Sequence, residues 1–151
     1  MTASRVFAKV LASLLLALAG SPAGAFDFRS VGQSAVVLYD APSSRSTRRY
    51  VAPPGMPVEI LSRYGIWVKV RDIDGDTAWT EAKGLSARRH VVVKAPQARV
   101  RAAADDNAAL LMTADKGVLL ELVDPQAGEW VRVRHQDGIG GFVRAFEVWG
   151  I

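Results

Sequence analysis

Five positions, Trp67-Val68-Lys69-Val70-Arg71, alternate strictly between one face and the other, and the chain repeats them as Trp130-Val131-Arg132-Val133-Arg134, 63 positions on. Period-2 alternation is the signature of a half-buried strand. It predicts that Val68, Val70, Val131 and Val133 face a core while the tryptophans and the bases point the other way. A tryptophan on the polar face of a strand exposes a large apolar surface to water unless something covers it. Trp67 and Trp130 are therefore the positions that a functional account has to explain.

The pattern around these strands predicts five short strands per copy. In the first copy Phe26 to Gly32 reads as a lead-in, and 35–39 as the opening strand, closed by the turn-forming Asp40-Ala41-Pro42-Ser43-Ser44. Pro53-Pro54-Gly55 turns into a strand at Val58-Glu59-Ile60-Leu61, and Tyr64-Gly65 turns into the Trp67 strand. Asp72 to Asp76 is a tight hairpin around Gly75, Ala78-Trp79-Thr80 begins the return, and Glu81 to Leu85 makes a single helical turn. The second copy follows at an offset of 62, with Val100 for Leu38, Gly117 for Gly55 and Leu120-Glu121-Leu122 for Val58-Glu59-Ile60. One extra residue in the loop from Asp124 to Gly128 raises the offset to 63, so that Gly138 matches Gly75 and Phe142 matches Trp79. Leu111-Met112 takes strand form by its alignment with Arg49-Tyr50. Val91-Val92-Val93 is expected to pair between the two copies, and Trp79 and Phe142 to pack inside them. Short strands separated by Gly, Pro and Asp turns predict an all-β chain of two small β-barrels in tandem.

Upstream of the repeat the pattern changes. Arg5 and Lys9 precede an apolar run from Val10 to Ala19, and Ala23-Gly24-Ala25 places small residues where a signal peptidase reads. This is the form of a secretory signal peptide cleaved after Ala25, and the run is too short for a membrane span of roughly 20 residues. The expected divisions are residues 1–25 as signal, 26–87 as the first domain and 88–151 as the second. The expected location is periplasmic or secreted, with no membrane insertion after cleavage. Domains of this size bury a limited share of their surface, and without any cysteine to staple them the two copies are expected to pack together.

Charge narrows the function classes. The net charge of +4 includes Arg5 and Lys9, so without residues 1–25 the Lys and Arg fall from 19 to 17 against 15 Asp and Glu, a net +2. Bases and acids are interspersed through both copies, whereas a nucleic-acid binder concentrates bases on one element. No nucleic-acid partner is expected.

Catalytic constellations are missing. His90 and His135 are the only histidines, both expected to be solvated. There is no cysteine to pair with them and no Gly-x-Ser-x-Gly elbow. Asp72, Asp74 and Asp76 invite a calcium reading, but an EF-hand counted from Asp72 needs Gly at its sixth position and Glu at its twelfth, where the chain has Thr77 and Lys83. They are better read as a charged hairpin with Gly75 at positive φ. Gly138-Ile139-Gly140-Gly141 lies between strands and lacks the Lys-Ser/Thr of a phosphate loop. No cofactor, metal or enzymatic activity is expected.

The order of turn, strand, Trp-Val-x-Val, Gly hairpin, aromatic-Val and single helical turn resembles the bacterial SH3 domain, and Leu38-Tyr39-Asp40 matches the start of eukaryotic SH3 domains. From Phe26 to Ile151 the chain resembles exported bacterial proteins built of two such domains, through Leu85-Ser86-Ala87-Arg88-Arg89 and the closing Val148-Trp149-Gly150-Ile151. The resemblance implies a pair of SH3-like barrels in the cell envelope and names no ligand.

Two functional readings follow. In the first the chain is a binding module. Leu38 aligns with core Val100, so Tyr39 points outward beside Trp67, with Tyr64 in the adjoining turn and Arg45, Arg48 and Arg49 at the rim. Trp130 is the corresponding candidate in the second copy, where Arg101 stands in place of Tyr39. Aromatics on a rigid sheet anchor ligands, arginines meet carboxylates in bidentate pairs, and an aromatic groove suits an extended backbone. Peptidoglycan, or an extended peptide of an envelope protein, is the expected partner. In the second reading the chain is a structural or accessory envelope protein whose Trp67 and Trp130 face each other between the domains.

Overall fold

The computed structural model describes residues 26–125 and 128–151. The expected leader, residues 1–25 with its cleavage after Ala25, lies outside the described residues. Among those described, no helix is long and apolar enough to cross a membrane.

The chain is all-β, in two antiparallel sheets of seven strands each. The first holds Phe28–Val31 (β1), Val36–Tyr39 (β2), Arg48–Ala52 (β3), Pro57–Tyr64 (β4), Trp67–Arg71 (β5), Thr77–Glu81 (β6) and Leu85–Ser86 (β7). The second repeats it with His90–Val93 (β8), Gln97–Arg101 (β9), Leu110–Asp115 (β10), Leu119–Leu122 (β11), Trp130–Arg134 (β12), Gly140–Arg144 (β13) and Val148–Trp149 (β14). A single 3-10 turn, Ala82–Gly84 or Ala145–Glu147, precedes the last strand of each sheet. The strand orders are β3-β2-β6-β5-β4-β1-β7 and β10-β9-β13-β12-β11-β8-β14, the same topology written twice.

Three expectations change here. Each sheet runs in a linear order with free edges at β3 and β7, or β10 and β14, so neither closes into a barrel. Phe28–Val31 is a strand, hydrogen-bonded between β4 and β7, although Arg29 and Ser30 break its apolar signal. Val91 to Val93 does not pair between the copies. It belongs to β8, the counterpart of β1, and pairs with β11 and β14 inside the second sheet. Each copy thus has seven strands where the pattern predicts five, because its outermost pairings involve strands of two to four residues.

Alternation along β5 and β12 is as predicted: Val68, Val70, Val131 and Val133 are buried, and the residues between them point away from the core. Two separate apolar cores result, one around Leu38, Val58, Val68 and Val70, the other around Val100, Leu120, Val131 and Val133. The hairpins Asp72–Asp76 and His135–Ile139 turn through Gly75 at φ 89° and Gly138 at φ 92°, backbone that side-chain-bearing residues rarely adopt. Asp72 organises its hairpin, since its Oδ1 accepts the amides of Asp74 and Asp76, both at 3.0 Å.

The two sheets meet through β1 and the start of β8. The His90 amide donates to the buried Ser30 hydroxyl at 2.9 Å. Arg89 lays its guanidinium over the Phe28 ring, 5.6 Å from the centroid, and donates to the Gly150 carbonyl at 2.7 Å. Phe28 packs edge to face on Trp149, with ring centroids 5.0 Å apart.

Candidate functional site

The outer face of the first sheet gathers aromatics from four strands. Tyr39 ends β2 and stands opposite Arg48 on one side and Trp79 on the other. Trp67 begins β5, between Tyr64 of β4 and Glu81 of β6. Residues directly opposite in antiparallel strands share a face, so Tyr39, Tyr64, Trp67 and Trp79 lie on one surface. The Tyr39 and Trp67 rings meet edge to face, with centroids 5.6 Å apart and an interplanar angle of 88°. Both are half-buried, whereas Tyr64 is 68% exposed. Leu38, Val68 and Val70, each 1% exposed, back the surface with a rigid core.

Trp79 was expected inside and is found outside. Ala78 and Thr80 are the buried residues of β6, and Trp79 is half-buried on the outer face opposite Lys69. The alternation Thr77-Ala78-Trp79-Thr80 carries that signal, with the small Ala78 turned to the crowded interior. Phe142 behaves alike: Gly141 and Val143 are buried on either side of it. A Cβ at Gly141 would collide with the Arg101 carbonyl, which leaves the bulky neighbour the outer side.

The three arginines sit at the rim on the loop after β2 and on β3. Ser46 pins that loop, its hydroxyl bonding the Ser43 carbonyl at 2.6 Å and the Ala41 carbonyl at 3.1 Å. Arg45 and Arg48 are exposed with no ion pair among the described residues, and Arg49 pairs loosely with Asp40 at 3.4 Å. Tyr50, their neighbour in sequence, packs against the core and donates its hydroxyl to Asp72 Oδ2 at 2.5 Å. Burial and the bond to Asp72 push its pKa far above the ordinary phenol value.

Trp130 has a different setting. Arg144, opposite it in the ladder, holds its guanidinium 4.3 Å from the Trp130 ring centroid and pairs with Asp106 and Glu129. Arg101, at the position of Tyr39, donates to the Ala108 carbonyl at 3.0 Å. The second copy thus caps its tryptophan with a cation where the first stacks it on a tyrosine.

Among the described residues, the ring contacts of Trp67 and Trp130 stay within their own sheets, and the aromatic pair that joins the domains is Phe28 with Trp149. The facing-tryptophan arrangement does not occur.

The histidines are less solvated than expected. The His135 side chain is 15% exposed, and its Nδ1 accepts the Asp137 amide at 3.2 Å. His90 is half-buried with its Nδ1 sealed from solvent. Burial, reinforced by the Arg88 charge, lowers its pKa. Nearby, Glu121 accepts from both Arg88 and Arg134, which pull its carboxyl down to about 2. That ion cluster ties the connection between the domains to β11 and β12.

Comparison with known proteins agrees with the repeat. A family model described as the bacterial SH3 domain matches the chain twice, over residues 32–86 and 94–150. Comparison with curated proteins gives no match. Among solved structures, the chain is similar to NlpC2 and NlpC1 from Trichomonas vaginalis, at 12% and 13% identity, each with a TM-score of 0.39. An NlpC/P60 family protein from Bacillus cereus ATCC 10987 matches at 16% identity and a TM-score of 0.38. These alignments cover 83%, 86% and 82% of this chain, which spans about half the length of those proteins (48%, 48% and 56%).

Proposed function

Because the chain belongs to the bacterial SH3 domain family, whose members are typically non-catalytic binding modules and often extracellular or cell-wall-associated, we propose that it is an exported binding protein whose ligand surface is the outer face of its first sheet. Tyr39, Tyr64 and Trp67, with Trp79 beside them, supply a preformed aromatic platform. Arg45, Arg48 and Arg49 supply cations at its rim. The partner is peptidoglycan, or an extended peptide of an envelope protein, met in the periplasm or outside the cell after cleavage behind Ala25. The two seven-stranded units, over residues 26–87 and 88–151, act as tandem SH3-like domains. Trp130 serves the second unit's own packing, beneath Arg144.

The observation that carries this reading is the Tyr39–Trp67 contact. Two large rings are held in fixed orientation on a packed sheet, so little conformational freedom is left to lose on binding. Aromatic anchors of that kind supply most of the energy at many interfaces. The test is retention of the purified protein on isolated peptidoglycan sacculi at moderate salt. Retention no greater than that of an unrelated protein of similar charge would remove the cell-wall ligand.

A further inference from the structure

A cleft of about 470 Å³ lies between the two domains, bounded by the Asp72–Asp76 hairpin of the first sheet and by β8 and β11 of the second. Its size falls within the range of small-ligand sites. Met56 and Pro57 form one apolar wall, and Val92 and Leu119 form the other, so neither domain alone makes the site. The polar end is made by Tyr50 and three carboxylates, Asp72, Asp74 and Asp76.

Among the described residues, no side-chain cation pairs with these carboxylates. Asp72 is 7% exposed, and its oxygens are occupied by the Tyr50 hydroxyl and two backbone amides, all of them neutral donors. Asp74 and Asp76 are exposed, and among the described residues neither has an ion pair. Arg71, the base adjoining the hairpin, is turned to Glu59, which it holds at 2.5 Å. An apolar slot ending in carboxylates without an ion pair complements an aliphatic stem ending in a cation.

The geometry points to this interdomain cleft as a second binding site, taking a peptide side chain that ends in a primary ammonium. The stem lies between Met56 and Pro57 on one side and Val92 and Leu119 on the other, and the ammonium meets Asp74 and Asp76. The site is separate from the aromatic face and does not depend on it. It also gives the joining of the two domains a use that one domain could not supply.

The test is a titration of the isotope-labelled protein, followed by amide NMR, with Nα-acetyl-lysine N-methylamide and with its neutral norleucine counterpart. The lysine probe is expected to shift the amides of Asp74, Gly75, Asp76, Val92 and Leu119 saturably, and to bind roughly fivefold or more tighter than norleucine. The double substitution Asp74→Asn and Asp76→Asn should erase that preference. It should leave the fold intact, because the hairpin uses the amides of these residues and the carboxylate of Asp72. Trp67→Ala should leave lysine binding unchanged, which separates this site from the aromatic one. Equal binding of the two probes, no saturable shift, a preference that survives the double substitution, or a loss on Trp67→Ala would each overturn the proposal.

Discussion

Tyr39 and Trp67 stack edge to face across a strand that neither belongs to. β2 and β5 are separated by β6 in the sheet, so their backbones are two strand spacings apart, about 10 Å. Only two large rings span that distance, and the structure holds them 5.6 Å apart between centroids. The contact leaves part of both rings facing solvent over a packed core. This contact is the centre of the ligand surface proposed for the first sheet, and it separates the first copy from the second.

The two cores set the stability of the chain. Leu38 and Leu120 are each 1% exposed, in separate clusters. Leu38→Ala and Leu120→Ala should each cost about 2–5 kcal/mol. Urea unfolding followed by tryptophan fluorescence measures this. A loss below about 1 kcal/mol for either would mean that its site is not a packed core.

The joint between the domains rests on Phe28 and Trp149, 5.0 Å apart at 83°. A double-mutant cycle with both residues changed to alanine should return a coupling of about 0.5–1.5 kcal/mol. Additive effects of the two single changes would show that the rings do not act as a pair.

Acid should loosen the connection between the domains. Arg88 and Arg134 depress the Glu121 carboxyl from an ordinary 4.5 to about 2. A depressed carboxyl stabilises the fold in its ionised form, so its contribution is complete above about pH 4.5 and disappears as pH falls toward 2. Melting temperatures of the wild type and Glu121→Gln should therefore converge across that window. Parallel curves would deny Glu121 this role.

The arginine rim should show itself through salt. Replacing Arg45, Arg48 and Arg49 together with alanine should weaken ligand retention and flatten its dependence on ionic strength, because exposed charges act through screened attraction. Stability should change by no more than about 1 kcal/mol, since the single ion pair lost, Arg49 with Asp40, is exposed. An unchanged salt profile would take the arginines out of the site.

Much of this was legible in the alternation of the chain. The valines of β5 and β12 declare their core side, the glycines of the two hairpins declare their turns, and the offset of 62 that becomes 63 aligns one copy with the other. Tyr39 beside Trp67 follows from the same alternation. Strands defined by pairing rather than by pattern were hidden. Phe28–Val31 carries Arg29 and Ser30 within four residues, and Ser30 is buried because the His90 amide bonds its hydroxyl. Trp79 was hidden because size suggested an interior place, while the buried position beside it is held by Ala78 or, in the second copy, by Gly141. The pairing of Phe28 with Trp149 joins residues from opposite ends of the repeat, and no local pattern encodes it. Nor does local pattern separate an open seven-stranded sheet from a closed barrel, because that depends on how the edge strands pair.

The most direct measurement compares the wild type with Trp67→Ala in co-sedimentation with purified peptidoglycan sacculi, with melting curves of both proteins recorded in the same buffer. The wild type should sediment with the sacculi, and Trp67→Ala should stay in the supernatant while still unfolding cooperatively. Equal sedimentation of the two folded proteins would contradict the claim that the Tyr39–Trp67 face binds the cell wall.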